Sequence, residues 1–159
     1  MIGAPFLETV AAKEGNIACQ NALQNAHKKI DYSVIPYAIF TSPQVASVGM
    51  KEEEYMKLYG SCRCSLVRME QIPKSHAIKD TRGLIFMVIH HKTKKIMGVH
   101  IVAANAAEII HEATLAVKFC LTIDDIIYTV HIFPTFSESI KMVCQSFNRD
   151  MNKMSCCVE

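Results

Sequence analysis

Two adjacent cysteines near the end of the sequence are the side chains best placed to do chemistry. Cys156 and Cys157 are followed by two further residues. A disulfide between chain neighbours requires a strained small ring, because the two residues share one planar peptide bond. Thiolates are soft ligands that select soft metals, and terminal segments are commonly mobile. The pair therefore predicts a flexible dithiol that binds a soft cation, with chance occurrence or lipidation as alternatives.

Two other pairs of possible metal ligands occur in predicted strands. Cys62 and Cys64 begin a segment over residues 62–69 whose alternation predicts a strand. Residues two apart in a strand share a face, but no second ligand pair follows in the sequence, so we favour a structural role over a metal site. His90 and His91 are chain neighbours, and neighbouring strand residues point to opposite faces. We therefore expect a solvated turn there and not a chelating pair.

Three further cysteines fall in predicted helices. Burial is the expected environment of Cys19, Cys120 and Cys144, and buried thiols tend to be inert. The terminal pair is therefore expected to dominate any binding of a soft metal.

Composition limits the class of protein. The chain has 159 residues, half of them hydrophobic and a fifth charged, which is typical of one globular domain with a real core. A formal net charge of +2 gives no reason to expect nucleic acid or a membrane as a partner. No apolar run approaches the roughly 20 residues of a membrane span, and the first ten residues lack the features of a signal peptide. An odd number of cysteines, seven, without such a signal favours free thiols in a reducing cytoplasm.

Hydrophobic periodicity predicts alternating strands and helices. The predicted strands cover residues 34–40, 45–50, 62–69, 83–91 and 95–102, and the predicted helices cover residues 1–29, 51–59, 103–121, 123–130 and a last stretch ending near residue 151. Residues 71–82 are expected to be a polar connection. Thr122 is the expected N-cap of the short fourth helix, and Thr135 or Ser137 that of the last.

Two motifs resemble the flavin- and nicotinamide-dependent disulfide oxidoreductases. Residues 133–138, F-P-T-F-S-E, resemble the H-P-T-x-x-E motif in which this family places its acid-base dyad. Glu138 falls on the glutamate, whereas Phe133 falls on the catalytic histidine, which is therefore missing; His131 lies out of register. Residues 40–49, F-T-S-P-Q-V-A-S-V-G, match the opening of the family's C-terminal dimerisation domain. The S-C-C ending, together with the aromatic residue at position 133, resembles the mercuric reductase branch.

The resemblance implies a fold and a domain organisation. It implies an α+β fold, with a mostly antiparallel sheet of about five strands and helices packed on it. Residues 1–29 would be the C-terminal helix of a preceding FAD domain, residues 34–151 the dimerisation domain, and residues 152–159 a flexible tail carrying the cysteine pair. The helix over residues 103–121 would pack the domain and a homodimer, with Glu108, His111 and Glu112 as surface or interface groups.

The same resemblance implies a redox function for a longer protein. In that branch, electrons pass from NADPH through FAD to an active-site dithiol, where Hg(II) is reduced to Hg(0), and Cys156 and Cys157 would capture the mercuric ion. The sequence contains neither G-x-G-x-x-G nor a C-x-x-x-x-C pair, so we expect this chain alone to bind neither FAD nor NADPH and to be inactive. Two alternatives remain: a non-enzymatic homodimeric module that binds soft metal, and the same domain of a dihydrolipoamide dehydrogenase or glutathione reductase. Phe133 argues against the second, because those reactions need a proton relay.

Overall fold

A five-stranded antiparallel sheet forms the centre of the computed structural model, which describes residues 3–149. The strands are β1 (Tyr37–Ile39), β2 (Gln44–Gly49), β3 (Arg63–Arg68), β4 (Leu84–Ile89) and β5 (Ile96–Ala103). They lie in the order β1-β2-β5-β4-β3, and each neighbouring pair is antiparallel. This arrangement confirms the predicted α+β class and the expected number of strands.

Six α-helices accompany the sheet within the described residues. They are α1 (Glu8–Gln24), α2 (Glu52–Tyr59), α3 (Pro73–Ala77), α4 (Ala106–Lys118), α5 (Ile123–Tyr128) and α6 (Glu138–Gln145). Strand alternation sends every second side chain of β4 and β5 to the face on which α4 and α6 pack. The core on that face includes Ile85, Met87, Val99, Ile101, Ile109, Ile110, Ala113, Ile140, Val143 and Cys144. Because full burial of one such aliphatic side chain stabilises by about 1.5–3 kcal/mol, this face holds α4 and α6 firmly in place.

The opposite face of the sheet is only partly covered. Tyr55 of α2 and Val88 of β4 are fully buried but lie outside the main core cluster. Beside them, Ser47, Phe86 and His100 line an open concavity of about 460 Å³. The helices therefore do not all lie on one side, because the short α2 borders the second face.

The structure shortens two expected elements: the strand expected over residues 34–40 is β1 (Tyr37–Ile39), and the helix expected over residues 103–121 is α4 (Ala106–Lys118). It corrects two others. The first helix ends at Gln24, since Asn25 takes a left-handed conformation (φ 52°) that terminates it. The connection expected over residues 71–82 contains α3, which Pro73 begins in the first-turn position that proline favours. The last regular helix ends at Gln145, and its expected end near residue 151 lies outside the described residues.

Candidate functional site

The segment between α5 and α6 forms a tight turn that presents Phe133. The peptide bond before Pro134 is cis, and the Phe133 side chain is 49% exposed. Thr135 fixes the turn, since its hydroxyl donates to the Ile132 carbonyl at 2.7 Å and accepts from the Glu138 amide at 3.3 Å. Thr135 is thus the capping side chain of α6, whereas Ser137 makes no side-chain cap. These hydrogen bonds fix the turn in a conformation that leaves Phe133 exposed to solvent.

Glu138 is a buried carboxylate at the start of α6. It is 9% exposed, and its Oε2 atom has no hydrogen-bond partner among the described residues. Burial raises the pKa of Glu138, while the positive charges of His131 and Lys141 act in the opposite direction. Because Phe133 has no titratable group, these two residues cannot form an acid-base dyad.

A histidine-carboxylate pair ties the same turn to α4. His131 Nε2 lies 2.8 Å from Glu112 Oε1, and His131 Nδ1 lies 2.9 Å from the Thr129 carbonyl oxygen. The His131 side chain is only 8% exposed. Both ring nitrogens face oxygen acceptors, so the ring can donate to both when it is protonated. Sequence reasoning placed Glu112 at a surface or interface and missed this pair, because 19 residues separate the partners.

An apolar surface lies around this turn and has no partner within the described chain. Tyr128, Val130 and Ile132 are 80%, 91% and 79% exposed. Leu115 of α4 is 54% exposed and lines a shallow concavity together with Val130 and Ile132, and Phe119, directly after α4, is 64% exposed. Contiguous exposed apolar side chains of this size commonly mark a protein interface. We call these five residues the apolar strip.

The described cysteines fall into three environments, of which Cys62 and Cys64 occupy the half-buried one. Cys156 and Cys157, with the whole tail over residues 152–159, lie outside the described residues. Cys144 is fully buried, and burial raises the pKa of its thiol. Cys19 and Cys120 are exposed, so the expectation that both are buried is wrong. The reason is that Cys19 lies on the open side of α1, and Cys120 follows the end of α4 in a left-handed conformation (φ 54°).

Three further histidines have defined surroundings in the structure. His90 and His91 follow the end of β4, and their rings stack with centroids 4.8 Å apart. The expectation that they point to opposite faces is therefore wrong, because strand alternation no longer applies after Ile89.

Sequence reasoning missed His100, whose Nδ1 lies 2.6 Å from Ser47 Oγ and whose Nε2 lies 3.2 Å from the Met50 carbonyl. Burial is the main cause that lowers the pKa of His100.

Comparison with known proteins defines the class to which this fold and site belong. Residues 35–144 match the pyridine nucleotide-disulphide oxidoreductase dimerisation domain. The chain belongs to this family of oxidoreductase domains, which confirms the resemblance inferred from residues 40–49 and 133–138. Solved structures share the fold: LpdA from Mycobacterium tuberculosis superposes with a TM-score of 0.80 at 23% identity, over 88% of this chain and 30% of LpdA.

Within the family, the chain is similar to mercuric reductases. The mercuric reductase of Lysinibacillus sphaericus is 39% identical over 153 residues, which are 96% of this chain and 28% of that protein. A mitochondrial dihydrolipoyl dehydrogenase of Arabidopsis thaliana is 37% identical over 141 residues, 89% of this chain and 28% of that protein. The chain thus spans less than a third of the length of either relative. Within residues 3–149, each helix is too short or too polar to cross a lipid bilayer.

Proposed function

We propose that this chain is the dimer-forming part of a mercury(II)-reducing flavoenzyme. The observation that carries the proposal is the site at residues 133–138, where Phe133 is exposed and Glu138, five positions later, is buried and has no hydrogen-bond partner on Oε2 among the described residues. Disulfide reductases need a proton relay at this site, whereas reduction of a metal ion does not. The site therefore favours a mercuric reductase over the dihydrolipoyl dehydrogenases that the chain also resembles.

The apolar strip supports a homodimer. A stable obligate interface buries on the order of 2,000 Å² or more, and the exposed apolar residues of the apolar strip would contribute to it. In such a dimer, Phe133 would face the partner subunit's active site. Residues 34–151 would form the dimerisation domain. Residues 1–29 would belong to a preceding FAD domain. The exposure of α1 supports this assignment, since Val10 is the one buried residue of that helix.

The tail would act as the receptor for mercuric ion, which is the substrate. Cys156 and Cys157 would take Hg(II) from a thiol complex by exchange: one new mercury-sulfur bond forms as an old one breaks, and the thiol proton passes to the departing thiolate. A two-coordinate complex can be handed on one sulfur at a time. No free ion is then required.

The cofactors would be held elsewhere in the longer enzyme. The family depends on FAD and a nicotinamide nucleotide, here proposed to be NADPH. The described residues do not fit a dinucleotide site of the usual kind, which requires parallel strands with crossover helices, because the five-stranded sheet is antiparallel throughout. We therefore propose that the chain alone is inactive. We also propose that the longer enzyme works in the cytoplasm.

Titration with Hg(II) against a competing small thiol tests the receptor role. Replacing both tail residues, Cys156→Ala and Cys157→Ala, should weaken the tightest site by about a hundredfold or more, because two linked thiols bind with a high effective concentration. The matched control is the exposed pair Cys19→Ala and Cys120→Ala, which should leave that affinity unchanged. Equal affinities before and after removal of the tail thiols would refute the proposal.

A further inference from the structure

Two cysteines and a glutamate converge at the β3 edge of the sheet. The Sγ atom of Cys62 lies 3.1 Å from Cys64 Sγ and 3.5 Å from Glu52 Oε1. The three ligand atoms all lie within 4.8 Å of one another. Cys62 directly precedes β3, Cys64 is its second residue, and Glu52 is the first residue of α2. The sequence showed two ligands of this cluster, and the fold supplies the third.

The elements that carry these side chains are fixed by packing. Tyr55, one turn after Glu52, is fully buried and stacks on Tyr59 with ring centroids 4.5 Å apart. Cys64 pairs with Val88 in the ladder between β3 and β4. Because α2 and β3 are both anchored, the ligand atoms are brought together before any ion arrives, which reduces the entropy cost of binding one.

We propose that Glu52, Cys62 and Cys64 bind a thiophilic divalent cation of the zinc group. A tetrahedral Zn²⁺ with bonds of about 2.3 Å to sulfur and about 2.0–2.2 Å to oxygen requires sulfur atoms about 3.8 Å apart and a sulfur-oxygen distance of about 3.5 Å. The observed sulfur-oxygen distance of 3.5 Å already fits. The two sulfurs, now 3.1 Å apart, need to separate by only about 0.7 Å, which small side-chain rotations achieve.

The electrostatics and exposure of the cluster favour an ion. Burial raises the pKa of the Cys64 thiol, and the nearby Cys62 and Glu52 raise it further. When the two thiols and the carboxyl group are all ionised, three negative charges lie close together, and a bound divalent cation offsets their repulsion. Glu52 is exposed and both cysteines are half-buried, so a hydrated ion can enter. Binding forms two metal-sulfur bonds and one metal-oxygen bond, releases two thiol protons, and leaves the fourth position to water.

Formation of a disulfide between Cys62 and Cys64 would compete with metal binding. Cα atoms two residues apart in a strand are separated by about 6.6–6.8 Å, which is the far limit of the range that disulfides tolerate. The site uses neither residue of the terminal cysteine pair. Its test, made without Cys156 and Cys157, is therefore independent of the proposed mercury receptor.

The test uses the reduced 159-residue chain in which Cys156 and Cys157 are replaced by alanine, so that the proposed receptor contributes nothing. Zn²⁺ affinity is measured by competition with a chromophoric chelator, and Cd²⁺ is the spectroscopic probe, because cadmium-thiolate bonds absorb in the ultraviolet. We expect one ion per chain. Cys62→Ser with Cys64→Ser should abolish both signals. Glu52→Gln should keep the cadmium-thiolate absorbance but weaken Zn²⁺ binding by at least about tenfold.

A control variant and a measurement of folding accompany this test. Cys19→Ser with Cys120→Ser removes two exposed thiols that lie outside the cluster, and it should leave binding unchanged. Circular dichroism monitors the fold, and the exposed Glu52→Gln variant decides alone if the double cysteine variant fails to fold. The proposal is overturned if the tail-free chain binds no Zn²⁺, if the cluster variants bind as well as their parent, or if a Cys62-Cys64 disulfide persists in chain purified with a thiol reductant present throughout.

Discussion

Replacing Val130 and Ile132 with serine should dissociate the proposed dimer without unfolding the protomer. These side chains are 91% and 79% exposed in the single chain, so they contribute little to its own stability. Full burial of an aliphatic side chain contributes about 1.5–3 kcal/mol. A two-fold dimer brings each residue into the interface twice. If both residues are covered, the double substitution therefore weakens association by about 6–12 kcal/mol.

Sedimentation velocity over a range of micromolar concentrations measures this change. Since about 1.4 kcal/mol corresponds to a factor of ten, the dissociation constant should rise by more than about a thousandfold. The variant should then sediment as a monomer at concentrations where the parent chain is a dimer. Its thermal unfolding, measured where both proteins are monomeric, should be nearly unchanged, because exposed substitutions usually alter stability by less than about 0.5 kcal/mol.

A matched pair of exposed apolar residues provides the control. Phe6 and Leu23 are 73% and 85% exposed but lie at the N-terminal side of the chain, outside the apolar strip. Replacing both with serine should leave the dimer intact. Dissociation by the control pair, or a parent chain that is monomeric throughout, would show that the apolar strip is not the interface.

Three further predictions concern titratable groups and the tail. Since the folded pKa of Glu138 is raised above its ordinary value of 4.5, its ionisation costs stability as pH rises. Glu138→Gln should therefore raise the free energy of unfolding at pH 7, an advantage that denaturant titrations should find lost below pH 4.5 and absent in the exposed control Glu108→Gln. Because the pKa of His100 is lowered from 6.5, denaturant titrations should show stability falling as pH drops below 6.5, and His100→Gln should flatten this dependence. The last prediction uses mixed dimers of a longer enzyme in which one subunit lacks Cys156 and Cys157 and the other lacks the active-site dithiol. If mercury is delivered between subunits, these dimers should turn over thiol-bound Hg(II) at about half the rate of the parent. Dimers that carry both lesions in the same subunit should be nearly inactive.

Local features were predictable from the sequence because their causes are local. Thr122 caps α5 as predicted, accepting from the Asp125 amide at 3.2 Å, since the cap joins residues three apart. The hairpin between β4 and β5 follows from two apolar runs separated by a polar turn. The alternation of residues 62–69 gave β3 within one residue at each end. In each case the decisive contacts lie within a few positions along the chain.

The parts of the site that sequence reasoning missed join distant positions. His131 contacts Glu112 across 19 residues, and Ser47 contacts His100 across 53. Nothing in the local pattern marks either pair, because the partners meet only when the sheet and α4 have formed. The ligand cluster with Glu52 is a shorter-range case of the same kind, in which Glu52 and Cys62 are ten positions apart. Ligand pairs judged by sequence spacing alone will miss a third ligand of this sort.

The geometry of α6 links the altered turn to the proposed receptor. Ile140, Val143 and Cys144 are fully buried, so the end of α6 is fixed relative to the sheet. Arg149 and Cys156 are seven positions apart, and an extended chain spans at most about 3.3–3.6 Å per residue, so the length of the chain limits their separation to about 25 Å. In the proposed mercury(II)-reducing enzyme, the turn would lack the proton relay, but the anchored helix that limits the reach of the tail would remain. Transfer of the ion would depend on that anchor and not on the relay, because the ion would be carried by thiols and not by protons.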